Sequence, residues 1–193
     1  MAAPQRKYRF SNTLPTPMNP EGTSMWNAMG KMTRGVPGNK INELNWGESY
    51  SQGGALSITS GPARHFSGRG MFNRMSTLWC SYIINSSNRN IFYSGDSGYG
   101  PHFRDIGEEF GPFDHAFIEC GQYNENWPLI HMMPEQTVQA AIDARAEKFT
   151  PVHWGKFSLS LHPWEEPVKR AQAEAERKAQ AIEIPTFGAI NQF

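Results

Sequence analysis

Ile91-Phe92-Tyr93-Ser94-Gly95-Asp96-Ser97-Gly98-Tyr99-Gly100 is the stretch on which the fold turns. A short apolar run ending at Ser94 reads as a strand. Gly95 and Gly98 then enclose Asp96, so the backbone bends sharply at the strand end. Before this point the chain reads as strands; after it, helix and strand alternate.

Upstream, Ala55-Leu56-Ser57-Ile58-Thr59 alternates as a half-buried strand should, and Thr77 to Ile84 is rich in β-branched and aromatic residues. Asn88-Arg89-Asn90 supplies a turn into Ile91, so the three runs predict an antiparallel meander. Residues 1–40 carry no sustained period. Pro15, Pro17, Pro20, Gly35, Pro37 and Gly38 interrupt any regular element there. We read them as an extended N-terminal arm, with a short helix around Ser24 to Met32. Residues 41–193 form the domain proper.

Downstream, His102 to Phe110 sets Phe103, Ile106 and Phe110 on one helical face, and Gly111-Pro112 stops it. His115 to Glu119 is a short buried strand. Pro134 to Ala146 is predicted helical, with proline in the first turn and Glu135 near the positive end of the dipole. Lys148 to Val152 reads as a strand, Glu165 to Ala181 as an amphipathic helix, and Ile182 to Pro185 as a terminal strand. Strands first and alternation afterwards give a layered α/β architecture.

Composition narrows the function. Eighteen basic and eighteen acidic residues cancel, which leaves no charge footprint for nucleic acid. The polar start from Met1 to Phe10 does not read as a secretory signal, and no stretch is long and apolar enough to span a bilayer. Cys80 and Cys120 stand at neither metal-like nor redox-like spacing, so they read as free thiols in a cytoplasmic protein.

Three separated segments each hold a side chain able to bind metal, flanked by glycine or an aromatic residue. They are Pro62-Ala63-Arg64-His65-Phe66-Ser67-Gly68, the Asp96 stretch, and Pro151-Val152-His153-Trp154-Gly155. Two imidazoles and a carboxylate suit zinc or another first-row metal. Each also has a plainer reading: an Asx-turn for Asp96, a packed strand-end histidine for His153, a surface-loop histidine for His65. Concurrence at strand exits, where ligand sites assemble, raises all three. His131, just before a helix, could donate a hydrogen bond to an anionic substrate or merely cap its turn. His102, His115 and His162 read as structural, and Glu165 and Glu166 as a solvated first helical turn.

These motifs, with Gly111-Pro112-Phe113-Asp114 and His131-Met132-Met133-Pro134-Glu135, resemble the later half of the metallo-β-lactamase-fold hydrolases. The branch is that of the N-acyl-phosphatidylethanolamine phospholipase D and ascorbate-6-phosphate lactonase enzymes. Tyr8 to about Met32 resembles the opening arm of the same family. The resemblance implies a partial αββα sandwich, its second half, with a mixed sheet and flanking helices. It implies two metals, usually zinc: His65 at the first, Asp96 bridging both, His153 at the second. Asp96 and His131 would be catalytic, with His131 beside the substrate. Family chemistry is hydrolysis of a phosphodiester, lactone or related ester or amide bond by a metal-bound hydroxide, because the metal brings the pKa of water to about 7.

The departure from the family is large. Its His-x-His-x-Asp-His loop should fall between the arm and the Glu43 region, where only Gly30 to Asn39 stands. An incomplete metal site follows, along with an apolar sheet face left without its usual cover. The enzyme reading is a metal-dependent hydrolase of a small or lipid-like anionic substrate, with a homo-oligomer covering that face. The alternative is a metal-poor, catalytically silent structural or interaction module.

Overall fold

The computed structural model describes residues 37, 41–66, 78–156 and 160–191. The expected arm, its helix at Ser24 to Met32, and the start of the strand expected from Thr77 lie outside them. Within them, seven strands form one sheet in chain order. Strands β1 (Ser49–Gln52), β2 (Leu56–Pro62), β3 (Cys80–Ser86) and β4 (Asn90–Tyr93) pair antiparallel in succession. Strands β5 (His115–Glu119), β6 (Lys148–Val152) and β7 (Ala181–Ile182) continue from β4 in parallel. Parallel neighbours require crossovers. Helices α1 (His102–Phe110), α2 (Pro134–Asp143) and α3 (Glu166–Lys178) supply them. The mixed sheet with flanking helices is the predicted α/β architecture, and the meander is as expected.

Three boundaries move for local reasons. Helix α2 ends at Asp143 rather than Ala146, because Arg145 turns left-handed (φ 59°) and Ala146 bridges to Phe113. Helix α3 ends at Lys178 rather than Ala181, because Ala179 turns left-handed (φ 53°) and Ala181 pairs with Lys148. The final strand is therefore Ala181–Ile182, extended by the Glu183 amide donating to the Phe149 carbonyl. Strand β1 was not predicted. It is polar and wholly exposed, so no apolar alternation marks it, and its pairing to β2 holds it in place.

Strand alternation gives the sheet two unlike faces. On one, Ile83, Phe92, Ala116 and Phe149 are cross-strand neighbours with no exposed surface. Phe103 and Ile106 of α1, with Val138, Ala140 and Ala141 of α2 and Ala171 and Ala175 of α3, complete that core. Helix α1 approaches α2 so closely that a Cβ at Gly107 would overlap the Asp143 carbonyl oxygen. On the other face the rows are Ile58, Ile84 and Ile91, then Tyr82, Tyr93 and Phe117. These side chains are half-buried, and Tyr93 is 39% exposed.

Topology fixes where a site can form. β2 runs antiparallel to β3, and β3 antiparallel to β4, so β2 points the same way as β4, β5 and β6. The segments carrying His65, Asp96, Glu119 and His153 therefore all leave the sheet at one edge.

Candidate metal centre

β2 and β6 are four strand spacings apart, roughly 19 Å at about 4.8 Å each. Their exit loops must fold inward for side chains to meet, and they do. His153 Nδ1 lies 3.8 Å from Asp96 Oδ1. The His131 ring stacks on that of His153 at 5.2 Å between centroids and meets His65 edge-on, also at 5.2 Å. The structure thus brings the three expected ligand candidates and His131 into one cluster.

Each is held by local chemistry. His65 Nδ1 lies 2.9 Å from the Phe66 carbonyl, and a carbonyl can only accept; Nδ1 carries the proton and Nε2 keeps its lone pair for another partner. Asp96 follows Gly95, which has a φ of +61° and where a Cβ would lie 2.5 Å from the Cys80 carbonyl oxygen, so no side chain fits there. His153 itself sits at φ 67°, an uncommon conformation for a residue with a Cβ. Its carbonyl oxygen packs where a Cβ at Gly121 would lie, locking the β5 and β6 exits together.

A second set of contacts ties the His65 and Asp96 loops together. The Arg64 amide donates to Ser97 Oγ at 2.9 Å, and the Gly98 amide donates to the Arg64 carbonyl at 2.7 Å. The Arg64 guanidinium reaches the Tyr99 carbonyl at 3.0 Å, and His102 Nε2 stands 3.2 Å from Ser97 Oγ. His102 is structural, as expected, and its burial pushes its pKa down to about 3. Gly98 also abuts the Leu129 backbone, which couples the Asp96 turn to the segment before His131.

Glu119 is the residue that sequence reasoning missed. It closes β5 with a wholly buried side chain, 3.3 Å from His131 Nδ1. Burial pushes its carboxyl well above the usual carboxylate range, although the Met132 amide donated to it opposes the shift. Burial also holds His131 and His65 below the ordinary histidine range. A glutamate ending an apolar strand before Cys120-Gly121 was the available signal, since charge is costly at a buried strand end without a partner. Glu166, expected to be solvated, instead accepts from Tyr123 Oη at 2.6 Å and from Arg170 at 3.1 Å.

Two imidazoles and a carboxylate are the right donor types for zinc or a similar ion. Their number and spacing do not complete a centre: among the described residues no three His, Cys, Asp or Glu side chains are grouped to hold one ion. The cluster is a partial ligand set, and no catalytic step through a metal is derived from it.

Comparison with known proteins fixes the ancestry. The family model described as "Beta-lactamase superfamily domain" matches residues 14–154, most of the chain. This chain belongs to that superfamily. A Mycobacterium tuberculosis relative, an uncharacterized protein, is 43% identical over 157 residues, which is 80% of this chain but 42% of that protein. The chain thus spans less than half the length of the mycobacterial relative it matches. A Caenorhabditis elegans N-acyl-phosphatidylethanolamine-hydrolyzing phospholipase D is 34% identical over 127 residues, 63% of this chain and 36% of that enzyme. In fold, the chain is similar to Igni18, a metallo hydrolase from Ignicoccus hospitalis, with TM-score 0.64, 19% identity, and coverage of 83% of this chain and 63% of that one. The metallo-β-lactamase-type architecture expected from the motifs is therefore the architecture of this superfamily member. Among the described residues, no helix is long and apolar enough to cross a membrane.

Proposed function

We propose that this chain carries part of the catalytic centre of a metal-dependent hydrolase that cleaves a phosphodiester, lactone or related ester or amide bond. The observation that carries the reading is the meeting of His65, Asp96, His131 and His153 at one sheet edge, despite their separation in sequence. In this reading His65, Asp96 and His153 would be the residues that hold the metal, zinc by family precedent. His131 addresses an anionic oxygen of a small or lipid-like substrate. A bound metal would supply water activation and polarise the scissile bond. The chain's own residues hold the donors, orient His131 and set the edge at which substrate arrives. The phospholipase relative supports a lipid-like substrate, and the two free thiols support a reducing, cytoplasmic setting.

The half-buried row of Ile58, Ile84, Ile91, Tyr82 and Phe117 supports a homo-oligomer in which a second copy covers this sheet face. Light scattering of the purified chain would give a dimer or larger; a monodisperse monomer would reject this part.

The alternative reading is a silent, metal-poor structural or interaction module. Metal analysis after zinc loading, with assays on a generic phosphodiester and a lactone, separates the two readings. The hydrolase reading expects chelator-sensitive turnover that Asp96→Ala abolishes. No turnover with either substrate, together with less than one ion per chain, establishes the module instead.

A further inference from the structure

Glu119 is placed with more care than a packing residue needs. Its backbone is fixed on both sides: the amide donates to Ser94 Oγ at 3.0 Å, and the carbonyl accepts from Thr137 Oγ1 at 2.9 Å. Its carboxyl has no exposed surface. Oε1 accepts the Met132 amide at 2.6 Å, one residue beyond His131, so the carboxyl is anchored to the backbone of the segment that presents the imidazole. Oε2 accepts the Gly121 amide at 3.5 Å and lies 3.3 Å from His131 Nδ1.

The imidazole has two neutral tautomers, and a half-turn of the ring would put Cδ2 where Nδ1 stands and Cε1 where Nε2 stands. Its flanking contacts, with His65 and His153, are between rings and do not distinguish one nitrogen from the other. The Glu119 contact does. We propose that Glu119 is a positioning residue acting through His131: its carboxyl occupies Nδ1, so Nε2 is the single ring nitrogen left for substrate. A carboxylate or carbonyl behind a functional histidine fixes ring orientation and tautomer, and loss of such a partner typically costs roughly 10- to 100-fold.

This inference rests on the reading that His131 addresses substrate, but its decisive test does not need turnover. Long-range nitrogen–proton spectra of the full chain labelled at histidine nitrogen report the tautomer of each ring, and loss of a signal in His131→Gln assigns His131. At neutral pH the native chain gives one His131 tautomer, and Glu119→Gln also gives one, because its carbonyl oxygen accepts the Met132 amide and its NH2 then donates to Nδ1. Glu119→Met gives a mixture at His131 while the other histidine signals stay in place. Glu119→Asp, which withdraws the acid by one methylene, also gives a mixture and decides the matter should Glu119→Met not fold. A single native-like His131 tautomer in folded Glu119→Asp and Glu119→Met overturns the proposal. If the native chain turns over substrate, both variants lower kcat roughly 10- to 100-fold with KM little changed. If it turns over nothing and holds less than one ion per chain while the tautomers behave as expected, Glu119 still fixes the His131 ring and the hydrolase reading fails.

Discussion

The two faces of the sheet share the same strands and registers, yet among the described residues only one is covered by helices. Toward the helices, Ile83, Phe92, Ala116 and Phe149 meet a complete layer and lose all contact with solvent. Away from them, Ile58, Ile84, Ile91 and Tyr82 are equally apolar but only half-buried. Composition alone does not make a core; a second layer does, because the burial term scales with area removed from water. The candidate centre lies at the strand ends, so its side chains depend on the helix-covered face for position without being part of it.

The strongest way to break this contrast is to empty matched positions on each side. Phe92→Ala should cost about 3–5 kcal/mol in urea unfolding, since it removes a ring from a closed layer. Ile84→Ala on the open face should cost less than about 1.5 kcal/mol in the isolated chain; an equal loss would mean that both faces are closed. Next in size is Gly107→Ala, whose Cβ would collide with the Asp143 carbonyl oxygen between α1 and α2. An overpacking loss of about 1–3 kcal/mol is expected in the same assay.

Acid sharpens the comparison from the helix side. His102 titrates near 3 when folded against 6.5 as its reference, so below about pH 6.5 the unfolded chain binds the extra proton. Stability should then fall by about 1.4 kcal/mol for each pH unit between those two values, on top of carboxylate effects. Urea midpoints followed from pH 7 downward measure it, and His102→Gln should flatten the slope by that amount. The smallest effect belongs to the sheet edge. Asp96 is nearly half exposed, so Asp96→Asn should leave the unfolding free energy within about 0.5 kcal/mol of the parent. A large loss would make Asp96 a structural turn residue and remove it from the candidate centre.

Much of this was legible in the chain. The β-branched runs and the Gly95-Asp96-Ser97-Gly98 turn announced the meander and the change to alternation. Phe103 and Ile106 announced the buried face of α1. Strand β1 was not legible because its side chains touch little and its order comes from hydrogen bonds to β2. The ends of α2 and α3 were overrun because left-handed Arg145 and Ala179 stop them without a glycine or proline to mark the place. At the candidate site, His65, Asp96 and His153 stood out as strand-end residues and His131 as a residue just before a helix, whereas their mutual distances depend on loops no periodicity describes. Glu119 was passed over although its strand read as buried, because its partners, His131 and the Met132 amide, lie on a segment that folds back only in three dimensions.

Because the sheet edge bearing the histidines is shared by β2, β4, β5 and β6, the connections at the far edge are mechanically separate from it. The Gly53-Gly54 turn between β1 and β2 is exposed, and so are Asn88 and Arg89 between β3 and β4. Both lie at the start of strands whose other ends carry the cluster. A fluorophore or a short epitope grafted at either hairpin would report on this molecule from a strand's length away. The turns thus offer ready handles for tethering, labelling or pulling without touching the rim that bears the histidines.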